Sequence, residues 1–144
     1  MKTDEKDRLI VKLLTRDARM PVSELSKRVG LSSPATSERI RRLEASGLIT
    51  RFTLEIDLAA LGYPLQAIVR IKPRPGNMHI VEEMIMNEPG FLDCDKVTGD
   101  DCFVTRLALR SIADLDPVLL PFHEKAETNT AIIKSSPLRA RIPV

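Results

Sequence analysis

The sequence predicts an α+β fold in which three N-terminal helices precede a ferredoxin-like βαββαβ sandwich. Apolar residues recur with a helical period before Gly47 and with a period of two after it. Beyond residue 64 the segments follow the order strand, helix, strand, strand, helix, strand. Charge divides in the same way, because residues 1–51 carry 12 Lys and Arg against 7 Asp and Glu, whereas residues 52–144 carry 10 against 13. We therefore expect a basic helical domain at 1–50, a strand linker or hinge at 51–63, and an acidic domain at 64–144.

The composition excludes several classes of protein. With 29% charged and 43% hydrophobic residues, the 144-residue chain is balanced for folding rather than for disorder. Two cysteines are too few for a disulfide framework. No apolar run approaches the roughly 18 residues of a membrane-spanning helix, and the N-terminus does not resemble a signal peptide. We expect a cytoplasmic protein with no membrane partner.

The first two helices have clear boundary signals. Asp4 begins a helix whose apolar face is formed by Leu9, Ile10, Leu13 and Leu14, and Pro21 breaks it. A short second helix follows at 22–29. Its expected N-cap is Ser23, and it ends at Gly30 in a left-handed conformation.

The third helix is predicted from Ser32, a hydroxyl cap followed by Ser33 and Pro34, to about Ser46. Thr36, Ile40 and Leu43 are expected to face inward, and Gly47 ends the helix. The remaining elements are expected as strands at 48–56, 65–72, 91–97, 103–109 and 130–135, a turn at 98–101, and helices at 77–87 and 113–127, the last kinked or shortened by Pro117 and Pro121. One face of the sheet lacks helices, and its apolar strands suggest that a partner subunit covers it.

The second and third helices have the spacing of a helix-turn-helix, since only Gly30, Leu31 and Ser32 join them. Such a unit places its second helix in the major groove of double-stranded DNA. Small residues at the start of this helix permit close approach to bases, and its arginines can grip phosphates. An ordinary three-helix bundle with a solvated basic face is the alternative. The candidate DNA-binding residues are Ser33, Pro34, Ala35, Thr36, Ser37, Glu38, Arg39, Arg41 and Arg42.

Most of the chain resembles the Lrp/AsnC (feast/famine) family of regulators from bacteria and archaea. The resemblance lies in TDEKDRLIVKLLTRDARMPVSELS, LSKRVGLSSPATSERIRRLEASGLI, ITRFTLEIDLAALGYP, the VTGDD turn and TNTAIIKSS. It implies a winged or simple helix-turn-helix followed by a domain that senses amino acids and oligomerises. It further implies homodimers that commonly assemble into octamers.

The turn near Gly99 is the candidate effector site. Backbone amides of a glycine turn can hold a carboxylate, and Asp100 or Asp101 can hold an ammonium group. A plain hairpin turn is the alternative. Many family members carry Gly-Asp-x-Asp here, whereas this chain has Cys102 at the second Asp position. The resemblance therefore implies ligand contacts at Gly99 and Asp100 more strongly than at Asp101 and Cys102, and leaves open a different effector or none.

No motif indicates catalysis, a metal or a cofactor. The sequence has no glycine-rich phosphate loop, Gly-x-Ser-x-Gly or His-Glu-x-x-His. Cys94 and Cys102 flank the hairpin and could form a redox or metal pair, but buried inert thiols are the simpler expectation, since His79 and His123 lack ligand spacing to them. We expect a DNA-binding transcriptional regulator modulated by an amino acid or similar effector, and not an enzyme. The alternative is a small-molecule-binding regulatory or oligomerisation module without DNA binding.

Overall fold

The computed structural model describes residues 2–139 and 141–143. It divides into two compact units. The first contains the described residues up to Glu55 together with those from Leu138 onward, and the second contains residues 56–137. No helix in the described part of the chain combines the length and apolarity needed to cross a membrane.

Three helices form the first unit: α1 (Glu5–Arg16), α2 (Val22–Val29) and α3 (Ser33–Ala45). Asp4 and Asp7 form a capping box at the start of α1, in which each side chain accepts the other's backbone N–H. The apolar stripes of the three helices meet in one core made of Ile10, Leu14, Leu25, Val29 and Leu43. This core fixes α3 against α1 and α2 by hydrophobic burial.

The ends of α2 and α3 follow the sequence signals with one exception. Gly30 has φ +70°, and its N–H donates to the carbonyl of Ser26 at 2.9 Å. Ser32 caps α3 by accepting the N–H of Ala35 at 3.3 Å. The predicted cap at Ser23 is wrong, because α2 begins at Val22 and Pro21 occupies the N-cap without a side-chain bond.

The second unit is a four-stranded antiparallel sheet with the order β2-β3-β1-β4. Its elements are β1 (Leu65–Pro73), α4 (Met78–Asn87), β2 (Phe91–Lys96), β3 (Phe103–Leu109), α5 (Leu115–Leu119) and β4 (Ala126–Ile132). This βαββαβ order confirms the predicted fold class.

Only one face of the sheet is built for a hydrophobic core. Val69 and Ile71 of β1 and Leu107 of β3 are fully buried with Val81 of α4 and Phe122. The opposite face is more polar than the sequence suggested: Arg106 donates to Gln66 at 3.3 Å and lies 3.7 Å from Asp93. The same face also carries the half-buried Ile68 and Val104, so it mixes polar with apolar side chains.

The strand predicted at 48–56 is wrong for the single chain. Residues 51–57 have no regular secondary structure. A strand needs a hydrogen-bonded neighbour, and none of the described strands pairs with this segment. Its apolar side chains are consequently exposed, with Phe52 at 49%, Leu54 at 76% and Ile56 at 48%.

The helix predicted at 113–127 is shortened, as its two prolines led us to expect, and it does not extend to Glu127. α5 spans only Leu115–Leu119 and lies between 3-10 turns at Ile112–Asp114 and Leu120–Phe122. Pro117 fits the first turn of α5, but Pro121 has no N–H to continue it. Because the helix stops early, β4 begins at Ala126 rather than Thr130, and it ends at Ile132 rather than Ser135.

Candidate nucleic-acid interface and effector turn

A tight connection joins α2 and α3. The N–H groups of Gly30 and Leu31 both donate to the carbonyl of Ser26, at 2.9 and 3.0 Å. The ammonium group of Lys6, on α1, donates to the carbonyls of Val29 and Gly30 at 2.8 and 3.1 Å. Lys6 therefore supplies a cation to the C-terminal end of α2, where carbonyl groups would otherwise lack partners.

One side of α3 is open to solvent and carries most of the predicted DNA-binding residues. Arg41 has 78% of its side chain exposed and lies 3.8 Å from Glu38, and Arg42 is 52% exposed. Ser33, Pro34 and Glu38 are exposed, while Ala35, Ser37 and Arg39 are half-buried. The helix thus presents small residues at its first turn and guanidinium groups two turns later.

Thr36 is wrong as a DNA contact. Its side chain is fully buried, and its hydroxyl donates to the carbonyl of Ser32 at 3.0 Å. Thr36 lies one helical turn from Ile40 on the inward side of α3, so it packs the helix-turn-helix and cannot reach a base.

Arg39 is held by carboxylates of α1. Its guanidinium donates to Asp4 at 2.6 Å and to Asp7 at 2.7 Å. These two bonds, in that order, raise the pKa of Arg39. The pKa of Asp4 is lowered, first by the backbone N–H of Asp7 and then by Arg39.

Asp7 is a residue that sequence reasoning missed. Its side chain is 1% exposed and also lies 3.4 Å from the guanidinium of Arg42. The Asp-x-x-Asp spacing of Asp4 and Asp7 is a capping signal. Nothing in the local pattern indicates the pairing with arginines more than 30 residues away.

The predicted effector turn is a closed hairpin loop. The N–H of Val97 donates to the carbonyl of Cys102 at 2.8 Å. Gly99 has φ +134°, a region that favours glycine, and space for a Cβ is open there. Cys102 is left-handed with φ +59°, a conformation that Asp and Asn tolerate better than most residues.

The two aspartates of this turn differ in their surroundings. Asp100 is exposed and makes no ion pair within the described residues, whereas Asp101 lies 3.6 Å from the guanidinium of Arg70 on β1. Asp100 therefore offers an uncompensated negative charge, and Asp101 offers one that Arg70 already balances. Arg70 is a second residue that the sequence did not single out, since only the strand register brings it to the turn.

The two cysteines do not form a pair. Cys94 lies opposite Thr105 rather than Cys102, and it is exposed, so the expectation of buried inert thiols is wrong for Cys94. Partial desolvation, followed by the charges of Asp95, Glu82 and Asp93, raises the pKa of the Cys94 thiol. In the part of the chain that the structure describes, no three His, Cys, Asp or Glu side chains form a possible metal site.

A helix-turn-helix joined to a separate βαββαβ unit defines a class of protein, the DNA-binding regulators with a domain for a small ligand. Family models agree, because the winged helix-turn-helix DNA-binding domain matches residues 3–50 and the Lrp/AsnC ligand binding domain matches residues 66–142. The chain belongs to the Lrp/AsnC family, which confirms the resemblance seen in its sequence. It is a DNA-binding transcriptional regulator of the Lrp/AsnC type.

Individual relatives match over nearly the full chain. The HTH-type transcriptional regulator LrpC of Bacillus subtilis is 30% identical over 135 residues, 94% of each chain. The structure of that LrpC has a TM-score of 0.89 at 29% identity and covers 94% of this chain and 97% of its own. The feast or famine regulatory protein of Mycobacterium tuberculosis, complexed with L-methionine, has a TM-score of 0.88 at 29% identity, covering 96% and 97%. These relatives are named as regulators rather than enzymes.

Proposed function

We propose that α3 is the helix that enters the major groove of double-stranded DNA. The observation that carries this proposal is the order of exposed side chains along α3: Pro34 and half-buried Ala35 at its first turn, then Arg41 and Arg42. Small residues permit the helix start to approach base edges, and guanidinium groups bind phosphates. Ser33, Ser37 and Glu38 line the same surface and are the remaining candidates for contacts with bases or sugars.

The test compares Arg41→Ala and Arg42→Ala with Lys12→Ala, which removes an equal charge from the exposed surface of α1. Each arginine that contacts a phosphate should contribute about one unit to the slope of log affinity against log salt. We expect that loss in both arginine variants for every DNA sequence. The assignment would be contradicted if both arginine variants kept the wild-type salt slope. It would also be contradicted if they changed the sequence preference while the slope stayed constant.

We propose that the segments divide the work as follows. Residues 1–50 bind DNA, 51–63 act as a hinge, and 64–144 bind the effector and oligomerise. Such a regulator acts where the chromosome is, which in bacteria and archaea is the cytoplasm.

We propose a homodimer that assembles further into an octamer. Support comes from the extended segment at 51–57, which exposes Phe52, Leu54 and Ile56 at alternate positions. Exposed apolar side chains on an extended segment without hydrogen-bonded neighbours are typical of a strand that pairs with a second chain. Two helix-turn-helix units would also read paired half-sites about one helical turn apart, which one unit cannot do.

We propose that an amino acid binds at the turn formed by Gly99, Asp100, Asp101 and Cys102. The uncompensated carboxylate of Asp100 suits an ammonium group, and the open backbone at Gly99 suits a carboxylate. The M. tuberculosis relative bound to L-methionine makes that amino acid the first to test. The ion pair between Asp101 and Arg70 leaves Asp101 the weaker contact.

A further inference from the structure

The carboxylate of Asp7 is the most enclosed charge of the first unit. Only 1% of the residue is exposed, although it lies in the first turn of α1. Its oxygens accept the backbone N–H of Asp4 at 3.2 Å and the guanidinium of Arg39 at 2.7 Å. Both oxygens also lie 3.4 Å from a guanidinium nitrogen of Arg42.

This arrangement fixes the rotation of α3. A buried carboxylate requires compensating charge as well as hydrogen bonds, and the compensating charge comes from α3. Arg39 and Arg42 are three residues apart, so they lie on the same side of the helix. Rotating α3 about its axis would take both guanidinium groups away from Asp7 and leave its charge uncompensated.

The same turn of α1 also fixes α2. Lys6, next to Asp7, binds the last carbonyls of α2 as described above. Two consecutive side chains of α1 thus hold the two helices of the helix-turn-helix through charge-assisted hydrogen bonds. The hydrophobic effect is itself non-directional, so these directional polar contacts add to the precision with which side-chain packing orients the helices.

The contacts also separate the arginines of α3 by role. Arg39 is balanced by two carboxylates, and only 23% of its side chain is exposed. Arg42 shares the longer contact with Asp7 and keeps 52% of its side chain exposed, and Arg41 keeps 78%. Arg39 is therefore committed to α1, whereas Arg41 and Arg42 keep guanidinium surface for DNA.

We propose that Asp7 is a positioning residue for DNA recognition: it sets the rotation of α3 through Arg39 without touching DNA. Arg39, which the sequence placed among the DNA contacts, belongs to this positioning set. The inference rests on the proposed entry of α3 into the major groove.

The experiment uses the full chain and two DNA probes, a duplex that the wild-type protein enriches from a random-sequence pool and an unrelated duplex. The readouts are the ratio of the two affinities and the salt slope on the unrelated duplex. Asp7→Asn keeps the side-chain shape and removes the charge. It should lower the ratio about tenfold, the size of one lost base contact, and leave the salt slope unchanged.

Glu5→Gln is the matched control. It removes the same charge from the same turn, but Glu5 is exposed and makes no ion pair in the described part of the chain. Its ratio should equal that of the wild type. Arg39→Gln should lower the ratio as Asp7→Asn does, again at constant slope, and the double variant should lose no more than either single one. All measurements are made below the onset of thermal unfolding, and Arg39→Gln carries the test if Asp7→Asn does not fold.

Two results would overturn the positioning role. One is a folded Asp7→Asn protein whose ratio of the two DNA affinities equals that of Glu5→Gln. If Asp7→Asn does not fold, the same result for Arg39→Gln overturns the role. The other is an Arg39→Gln protein whose salt slope drops by about one, which would make Arg39 a phosphate contact. If the wild-type protein enriches no sequence from the pool, the proposed entry of α3 into the major groove is overturned as well. This result is seen with the wild type alone, so it is distinguished from a failure of the positioning role, which only the variants reveal.

Discussion

Asp4 shows how one side chain can serve two structures. It caps α1 through the N–H of Asp7 at 2.8 Å and pairs with Arg39 of α3 at 2.6 Å. Both interactions favour the ionised carboxylate, which is why the pKa of Asp4 is lowered. Because the pKa is lower in the folded state, the stability from Asp4 is fully present above the ordinary carboxyl pKa and is lost as pH falls through the lowered value.

The two causes of this lowered pKa can be separated by substitution. In Arg39→Gln the pKa of Asp4 should rise toward its ordinary value but stay below it, because the larger cause, the backbone N–H of Asp7, remains. An NMR titration of the Asp4 carboxyl carbon measures this directly. Arg28→Gln is the control, since Arg28 pairs with Glu24 of its own helix. An identical midpoint in the wild type and Arg39→Gln would contradict the ion pair.

Cys94 is exposed, but the pKa of its thiol is raised. Desolvation and three neighbouring carboxylates raise the pKa of its thiol, so less thiolate is present at neutral pH than in a free cysteine. In a Cys102→Ser background, alkylation by iodoacetamide should be slower than that of a cysteine peptide and should accelerate as pH rises. Asp95→Asn should speed the reaction, because it removes the largest of the charge effects. A rate equal to that of the peptide would contradict the raised pKa.

At the scale of elements, the start of α3 depends on Ser32. Its hydroxyl accepts the N–H of Ala35, so Ser32→Ala leaves a helix donor without its partner and should cost about 1 kcal/mol of unfolding free energy. Ser23→Ala is the matched control, because Ser23 is exposed and its side chain caps nothing. Urea unfolding followed by helical circular dichroism gives both values. Equal losses in the two variants would show that the cap adds nothing.

Elements bounded by strong local signals could be predicted from the sequence. The limits of α2 follow from Pro21 and Gly30, and the start of α3 follows from Ser32 and Pro34. Each of these residues acts on the backbone at or next to its own position, so its effect does not depend on distant contacts. The strand at 48–56 is predicted wrongly, since an alternating pattern does not reveal whether a hydrogen-bonded neighbour exists, and none of the described strands pairs with this segment.

The candidate site also combines features that the sequence predicts with features that only the structure shows. The exposed arginines of α3 follow from helical periodicity, as does the inward direction of Thr36 beside Ile40. The ion pairs of Asp7 and of Arg70 join residues far apart in sequence, so only the packed helices and the strand register reveal them. Polar contacts between residues far apart in the chain produce no periodic pattern in the sequence, so they cannot be predicted from one.

At the scale of the whole molecule, the exposed segment at 51–57 should decide assembly. Leu54 is 76% exposed, and a lysine there would place a charge where a second chain would bury an apolar side chain. We expect at least a dimer for the wild type at micromolar concentration and a lower mass for Leu54→Lys in light scattering. Thr53→Lys, on the other side of the extended segment, adds the same charge and should keep the wild-type mass. A monomeric wild type would contradict the proposed assembly.

Effector binding should raise the unfolding temperature of the whole chain. A ligand that binds only the folded state stabilises it by about 2.7 kcal/mol at a hundred times its dissociation constant, so a thermal-shift screen of the common amino acids, beginning with L-methionine, detects it. Gly99→Val shields the open backbone, and Asp100→Ala removes the free carboxylate; both should abolish the shift while DNA binding survives. Asp116→Ala is the control for the lost charge, because Asp116 lies on α5 rather than in the turn. If the ligand also changes the sedimentation of the wild type, assembly must tighten ligand binding by the same factor, because coupling between the two equilibria is reciprocal. Should no amino acid shift the wild type, the turn at Gly99 serves only to close the hairpin.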